Sequence, residues 1–367
     1  MAGEENNRGA FRIQQFYCAK MDAPIYARLC GVIAERLTRD SRTGARVLDW
    51  AGEPTRDALP LRFIGGLHAL VQTGADEGLA AVFRGEVTDE KEIGDALEAA
   101  LVAHDAALLP WLDGPPQTNE PGRSGALMLG LMAVARRYGL RLEVLEIGSS
   151  AGLNLLIDRF GFDLGGTRIG PADAPVTLRP DWTGAPPAPT AIEIVSVRGC
   201  DVQPLDATDP AVEARLAAYV WAETPARLDR LRRAIAMQRE RRVDLVRADA
   251  ADWVEARLVE PQRDGVTRVL MHSVVWQYLP EPVADRIRAA MKAAGARATA
   301  ERPLAWVMAE PDRAFAHHVV KVRSWPGHDG WTVLATAHAH GTWIKNGVGD
   351  EDQRRFELPE SAKVEAG

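Results

Sequence analysis

Apolar positions recur at helical spacing through the first part of the chain; beyond it, short β-branched runs alternate with further helical stretches. Residues 11–20 begin a helix. Asp22-Ala23-Pro24 opens a second, with proline in its first turn, where its missing N–H has no helical partner to lose. Ile25, Leu29, Val32, Ile33 and Leu37 form its apolar stripe. Shorter helices are expected over 61–73 and 76–84. Thr88-Asp89-Glu90 starts another running to about Leu112, with acids near its positive end. Asp113-Gly114-Pro115-Pro116 stops it. Residues 117–122, QTNEPG, form a polar turn, and a helix over 123–138 follows.

From Arg141 the period changes. Leu142–Ile147 reads as a strand that breaks into Gly148-Ser149-Ser150-Ala151-Gly152. A helix-like pattern follows, with Leu153, Leu156 and Ile157 on one face. The Gly/Pro-rich stretch 161–190 is expected to hold a small hairpin or an extended excursion. Ile192–Val197 reads as the second strand and runs on to Asp201; residues 209–240 read as helical. Val243–Val246, Arg268–His272 and Leu304–Ala309 give three more strands, the last ending at Glu310, with a helix over 281–294. Val319–Ser324 and Trp331–Ala337 read as an antiparallel pair around Pro326-Gly327. From about Gly349 the chain is charged and expected to fray. Strands alternating with helices imply a mostly parallel sheet.

The glycine turn is the first chemical signal. Gly148 permits a sharp turn, and Gly152 lets backbone approach a ligand closely. A helix start there would offer unpaired N–H groups and a positive dipole end. The spacing is not the GxGxxG of dinucleotide sites, and no Gly-Lys-Ser/Thr of a phosphate loop is present. Glu146-x-Gly148-x-Ser150-x-Gly152 resembles the first motif of class I S-adenosylmethionine (SAM) methyltransferases. The whole chain also resembles a bacterial family catalogued as domain of unknown function 2332. That resemblance covers residues 11–345 and rests on several segments. They are Gln117–Ser124, the glycine loop, Gly199–Asp206, His272–Tyr278, Trp325–Gly327 and Ala337–Gly341. Together these imply a helical N-terminal region (1–122) and a Rossmann-like methyltransferase α/β domain (123–348). A charged tail (349–367) follows. The helical region is expected to cover the mouth of the site.

The resemblance assigns roles to residues at the strand ends. Gly148, Ser149, Ser150, Gly152 and Asn154 would cradle the methionyl end of SAM, with Glu146 ordering the loop or meeting the ammonium. Asp201 would accept from the ribose hydroxyls; the alternative is an aspartate capping its own turn. Asp249 and the backbone at Ala250 would face the adenine, unless Asp249 is a helix N-cap. On the acceptor side His272 is the first candidate base, because a histidine can take a proton near neutral pH. Tyr278 and Trp276 would wall the pocket, and Glu310 and Glu120 would bind an amine or hydroxyl acceptor. A polar network fixing the strand ends is the competing account.

Composition narrows the class. A formal net charge of −7 argues against a generic nucleic-acid binder. Cys18, Cys30 and Cys200 lack metal-ligand spacing and imply a reducing, cytoplasmic setting. No signal-peptide core or membrane-length apolar run is read. His338 and His340 would share one strand face, with His317, His318 and His328 nearby in sequence, but no acid or cysteine set accompanies them, and no metal site is assigned. The expected function is SAM-dependent methyl transfer to a small molecule. The alternatives are a non-catalytic SAM or nucleoside sensor and a scaffold of the same fold.

Overall fold

The computed structural model describes residues 2–347 except 313, 316, 328 and 329. The expected charged tail and His328 lie outside the described residues. In chain order come α1 (Ala2–Lys20), α2 (Pro24–Arg36), α3 (Arg42–Leu48), α4 (Leu59–Gln72), α5 (Glu77–Phe83) and α6 (Glu90–Leu108). Then follow α7 (Ser124–Tyr138), β1 (Arg141–Ile147), β2 (Gly161–Leu164), β3 (Thr167–Ile169), β4 (Thr177–Leu178), β5 (Asp181–Thr183) and β6 (Glu193–Asp201). Next are α8 (Pro210–Ala218), α9 (Pro225–Glu240), β7 (Asp244–Arg247), α10 (Ala250–Leu258), β8 (Thr267–Ser273) and α11 (Glu281–Gly295). The chain ends in β9 (Leu304–Pro311), β10 (His318–Trp325), β11 (Thr332–Ala337) and β12 (Trp343–Asn346).

Two compact units emerge. One comprises the residues up to Thr118 together with Pro210–Leu228. It is helical, with a core that includes Phe11, Leu29, Ile33, Phe63, Leu67, Leu79, Ile93 and Trp221. The α2 stripe is buried as its spacing requires, apart from Ile25, which packs at the core's edge. The helix expected over 209–240 is two helices, broken at 219–224. Glu223 in that break caps α2: its Oε1 accepts the Ile25 N–H (2.7 Å) and the Tyr26 N–H (3.3 Å). Ala23, at the N-cap, has no side chain able to do so.

The other unit comprises Asn119–Asp209 and the described residues from Asp229 on. It is mixed α/β, built on a nine-stranded sheet of order β5-β12-β11-β10-β9-β8-β1-β6-β7. The run β9-β8-β1-β6-β7 is parallel, and β10, β11 and β12 continue it as an antiparallel meander. β1 is therefore central, between the strand that ends at Asp201 and the strand that carries His272. Alternate residues of β1 face opposite sides of the sheet. Leu145 and Ile147 join a core with α10 and α11 residues such as Trp253, Ile287 and Met291. α7 packs on β8, β9 and β10. Gly130 makes its close approach possible, since a Cβ there would stand 2.3 Å from Val307 Cγ1. The excursion between β1 and β6 contains a separate three-stranded sheet, β3-β2-β4.

Charges lock the sheet at the end away from the glycine loop. Glu143 accepts from Arg198 Nη2 (2.7 Å) and Arg268 Nε (2.9 Å). Arg268, almost fully buried, also donates to the carbonyls of Arg257, Glu260 and Pro261. Arg268→Met would strip these acceptors of donors and leave Glu143 with half its partners. It is expected to cost at least about 3 kcal/mol in chemical denaturation. A loss below about 1 kcal/mol would show that the network is idle.

Candidate functional site

The chain leaves β1 through a turn with positive φ at Gly148 (65°), Ser150 (53°) and Gly152 (75°). The first and last need glycine on two counts. L residues rarely adopt that φ, and a Cβ would meet Val275 Cγ2 at 2.3 Å or Val243 Cγ2 at 2.8 Å. Gly199 on β6 is needed for a different reason: a Cβ there would stand 2.4 Å from Ser149 Oγ.

The helix expected after this turn does not form. Leu153–Leu156 is a single 3₁₀ turn, and the chain enters β2 at Gly161. The cause is legible in the burial. Leu153, Leu155, Leu156, Ile157 and Phe160 are all buried, which a one-sided surface helix cannot achieve. The dipole expected at a helix start is therefore missing. Side chains satisfy the loop instead. Asn119 Oδ1 accepts the Leu153 N–H (2.7 Å), and Gln238 Nε2 donates to the Ala151 carbonyl (2.7 Å). Ser124 Oγ donates to Asn154 Oδ1 (2.8 Å). Asn119 thus belongs to the loop's support. Gln238 was not singled out from sequence, but it carried a signal. It occupies the i+7 place of the buried α9 stripe Leu231, Ala234, Ile235, where an apolar residue is expected.

Asp201 stands beside this loop at the end of β6. Its Oδ2 accepts the Ser150 N–H (2.8 Å) and its Oδ1 the Gln203 N–H (2.8 Å). The carboxylate thus caps its own turn and pins the glycine loop, and each oxygen keeps room for a further donor. Asp249 caps α10, accepting from Ala251 and Asp252 N–H, with Ala250 as the first helical residue.

Glu146 is buried, and its Oε2 has no partner among the described residues. Burial pushes its carboxyl up to about 7. Ser149 and Asn154 pull it down, the Asp201 charge raises it, and Arg123 lowers it. Ser150 Oγ is buried and without a partner as well.

At the ends of β8 and β9, His272 and Glu310 form one unit. His272 Nδ1 lies 2.6 Å from Glu310 Oε1, which also accepts the Val275 N–H (3.1 Å). Glu310 Oε2 accepts the Trp276 N–H at 3.4 Å. These bonds hold a turn that contains a β-branched residue at positive φ, Val274 (54°), a costly conformation. His272 is fully buried, stacked on Trp276 at 5.1 Å, and its Nε2 has no partner among the described residues. Glu310, not His272, lines the adjoining cavity of about 210 Å³. Tyr278 is 63% exposed and is not among the residues lining that cavity. Glu120 is buried, caps Gly122 (2.8 Å) and pairs with Arg230 (2.9 Å). It too is committed to the fold around the QTNE turn.

His338 and His340 lie in the turn after β11 rather than on a strand, with ring centroids 5.2 Å apart. Burial, reinforced by Arg123, His338 and His317, lowers His318 to about 4. Among the described residues no group of three or more His, Cys, Asp and Glu could hold a metal ion. No helix among them is long and apolar enough to cross a membrane.

The raised carboxyl of Glu146 ties the stability of the fold to pH. Its folded value, about 7, lies above the ordinary 4.5. The protonated form is thus favoured in the fold. Its full contribution is present below the unfolded value and is lost as pH rises through about 7. Glu146→Gln removes the charge. The variant should exceed wild type by about 3 kcal/mol near pH 8 in urea denaturation, the difference shrinking as pH falls toward about 4.5. A difference independent of pH would contradict the buried, unpaired carboxylate.

No curated protein and no solved structure matches the chain. One family model does, over residues 8–346, described as an uncharacterized protein conserved in bacteria. That match spans the helical unit, the glycine loop and both strand-end sites, and the chain belongs to this family, DUF2332.

Proposed function

We propose that this protein binds SAM at the carboxyl end of β1 and transfers its methyl group to a small molecule. The observation that carries this reading is the position of the Glu146–Gly152 loop. It leaves the central strand of an open parallel sheet between β6 and β8, where the connections diverge and such sheets bind ligands. We propose further that the α/β unit is a variant of the class I methyltransferase fold. The parallel order around β1 favours it; the absent helix after the loop and the meander beyond β9 are departures from it.

The residues present suit the group. Glu146 Oε2 and Ser150 Oγ are buried polar atoms without partners among the described residues, in a loop whose bends at Gly148 and Gly152 require glycine. A methionyl ammonium would supply the missing donor and counter-charge. Asp201 would hold the ribose with its unused lone pairs, and Asp249 would set the loop beside the adenine. Bound SAM supplies an electrophilic methyl on a sulfonium, so the protein's task is chiefly proximity and exclusion of water. His272 remains the candidate base, with Glu310 to orient it. Its complete burial favours a second reading, a nucleoside-binding protein without transfer. Methyl turnover separates the two.

S-adenosylhomocysteine should bind wild-type protein in the micromolar range by calorimetry. Asp201→Ala should weaken it by about 1.5–3 kcal/mol, roughly tenfold to a hundredfold. Absence of wild-type binding at millimolar ligand would overturn the proposal and leave the scaffold reading. Once an acceptor is known, His272→Ala should lower turnover about a hundredfold with little change in SAM affinity. Unchanged turnover would remove His272 from the chemistry.

A further inference from the structure

We propose that the cavity beside Glu310 binds a small organic ammonium ion, with Glu310 as its counter-charge. The inference rests on the reading of this strand end as the acceptor side of the site, and it names the acceptor's class as an amine. The cavity has a volume of about 210 Å³. At about 30 Å³ per water that is room for roughly seven water molecules, so the guest is small.

Its lining is apolar on Trp276, Met308 and Val319, and charged at Glu310, Asp312 and Lys321; the remaining described lining residues, Gln277 and Pro311, are uncharged. Lys321 and Asp312 pair with each other. The Ala314 N–H (2.8 Å) takes a further bond to Asp312. Among the described lining residues, Glu310 is left as the charge without a cationic partner. Arg288, whose guanidinium lies 5.2 Å from the Trp276 ring centroid, is itself paired with Glu281 and Asp285. With His272 also stacked on Trp276, the indole is already engaged, and recognition of a cation falls to the carboxylate.

The carboxylate is set up for that task. Oε1 is occupied by His272 Nδ1 and the Val275 N–H, whereas Oε2 accepts one long bond from the Trp276 N–H. Oε2 therefore keeps capacity for a short, charge-assisted bond. His272 Nδ1, at 2.6 Å, lies against Oε1 and leaves Oε2 free of the imidazole. A neutral guest of the same shape would fill the apolar walls but would not answer that charge.

The test uses the full-length protein and two probes of nearly equal size, benzylammonium chloride and benzyl alcohol, titrated by calorimetry or ligand-observed NMR. Benzylammonium should bind at least tenfold more tightly than benzyl alcohol. Glu310→Gln should erase the preference. Lys321→Met, which frees Asp312, should strengthen benzylammonium binding several-fold, and it carries the test should the Glu310 variant fail to fold. Equal binding of the two probes, no binding of either, or indifference to Lys321→Met would overturn the proposal. S-adenosylhomocysteine calorimetry on the same wild-type sample keeps the two readings apart. Benzylammonium binding without nucleoside binding retains the cation site and removes methyl transfer; the reverse removes only the amine.

Discussion

The way the chain leaves β1 constrains everything at that end of the sheet. Three residues with positive φ within five positions cannot be held by local preference alone. They are held by hydrogen bonds from other elements: Asp201 on the Ser150 N–H, Asn119 on the Leu153 N–H, Gln238 on the Ala151 carbonyl. Each comes from a different part of the chain, and each is at least partly buried, where an unmade bond is costly. The loop is thus a product of the folded unit, and its geometry exists only when β6, α9 and the 117–122 turn are in place.

A consequence is that several groups with a chemical look have structural partners. Glu120 is spent on Gly122 and Arg230, and Glu310 steadies a strained turn as well as orienting His272. What remains unspent is small and specific. Among the described residues Glu146 Oε2, Ser150 Oγ and His272 Nε2 are buried without partners, and Glu310 Oε2 is only weakly engaged. Buried polar atoms are normally satisfied, and these unspent ones at the carboxyl ends of parallel strands are what the proposed ligand would complete.

Much of this was legible in the sequence. The period change at Arg141, the five strands alternating with helices and the antiparallel pair were legible, because these patterns reflect burial on one or two faces. The glycine loop was legible because positive φ selects glycine. Two features were hidden. The turn at Leu153 imitates a helix in its first residues, and only the full burial of its apolar run, a tertiary property, excludes one. The division at 219–224 was hidden because α8 and α9 share one arginine- and alanine-rich composition. Partner choice was also hidden: nothing in a single chain tells whether Asp201 faces a ribose or the Ser150 N–H, since both use the same carboxylate in the same turn.

The most direct measurement is a crystal structure grown with saturating S-adenosylhomocysteine. The account expects the ribose hydroxyls on Asp201, the amino group near Glu146 and the amino-acid backbone over Gly148–Gly152. An ordered glycine loop with no nucleoside beside it, at a concentration that saturates known binders of this ligand, would contradict the account.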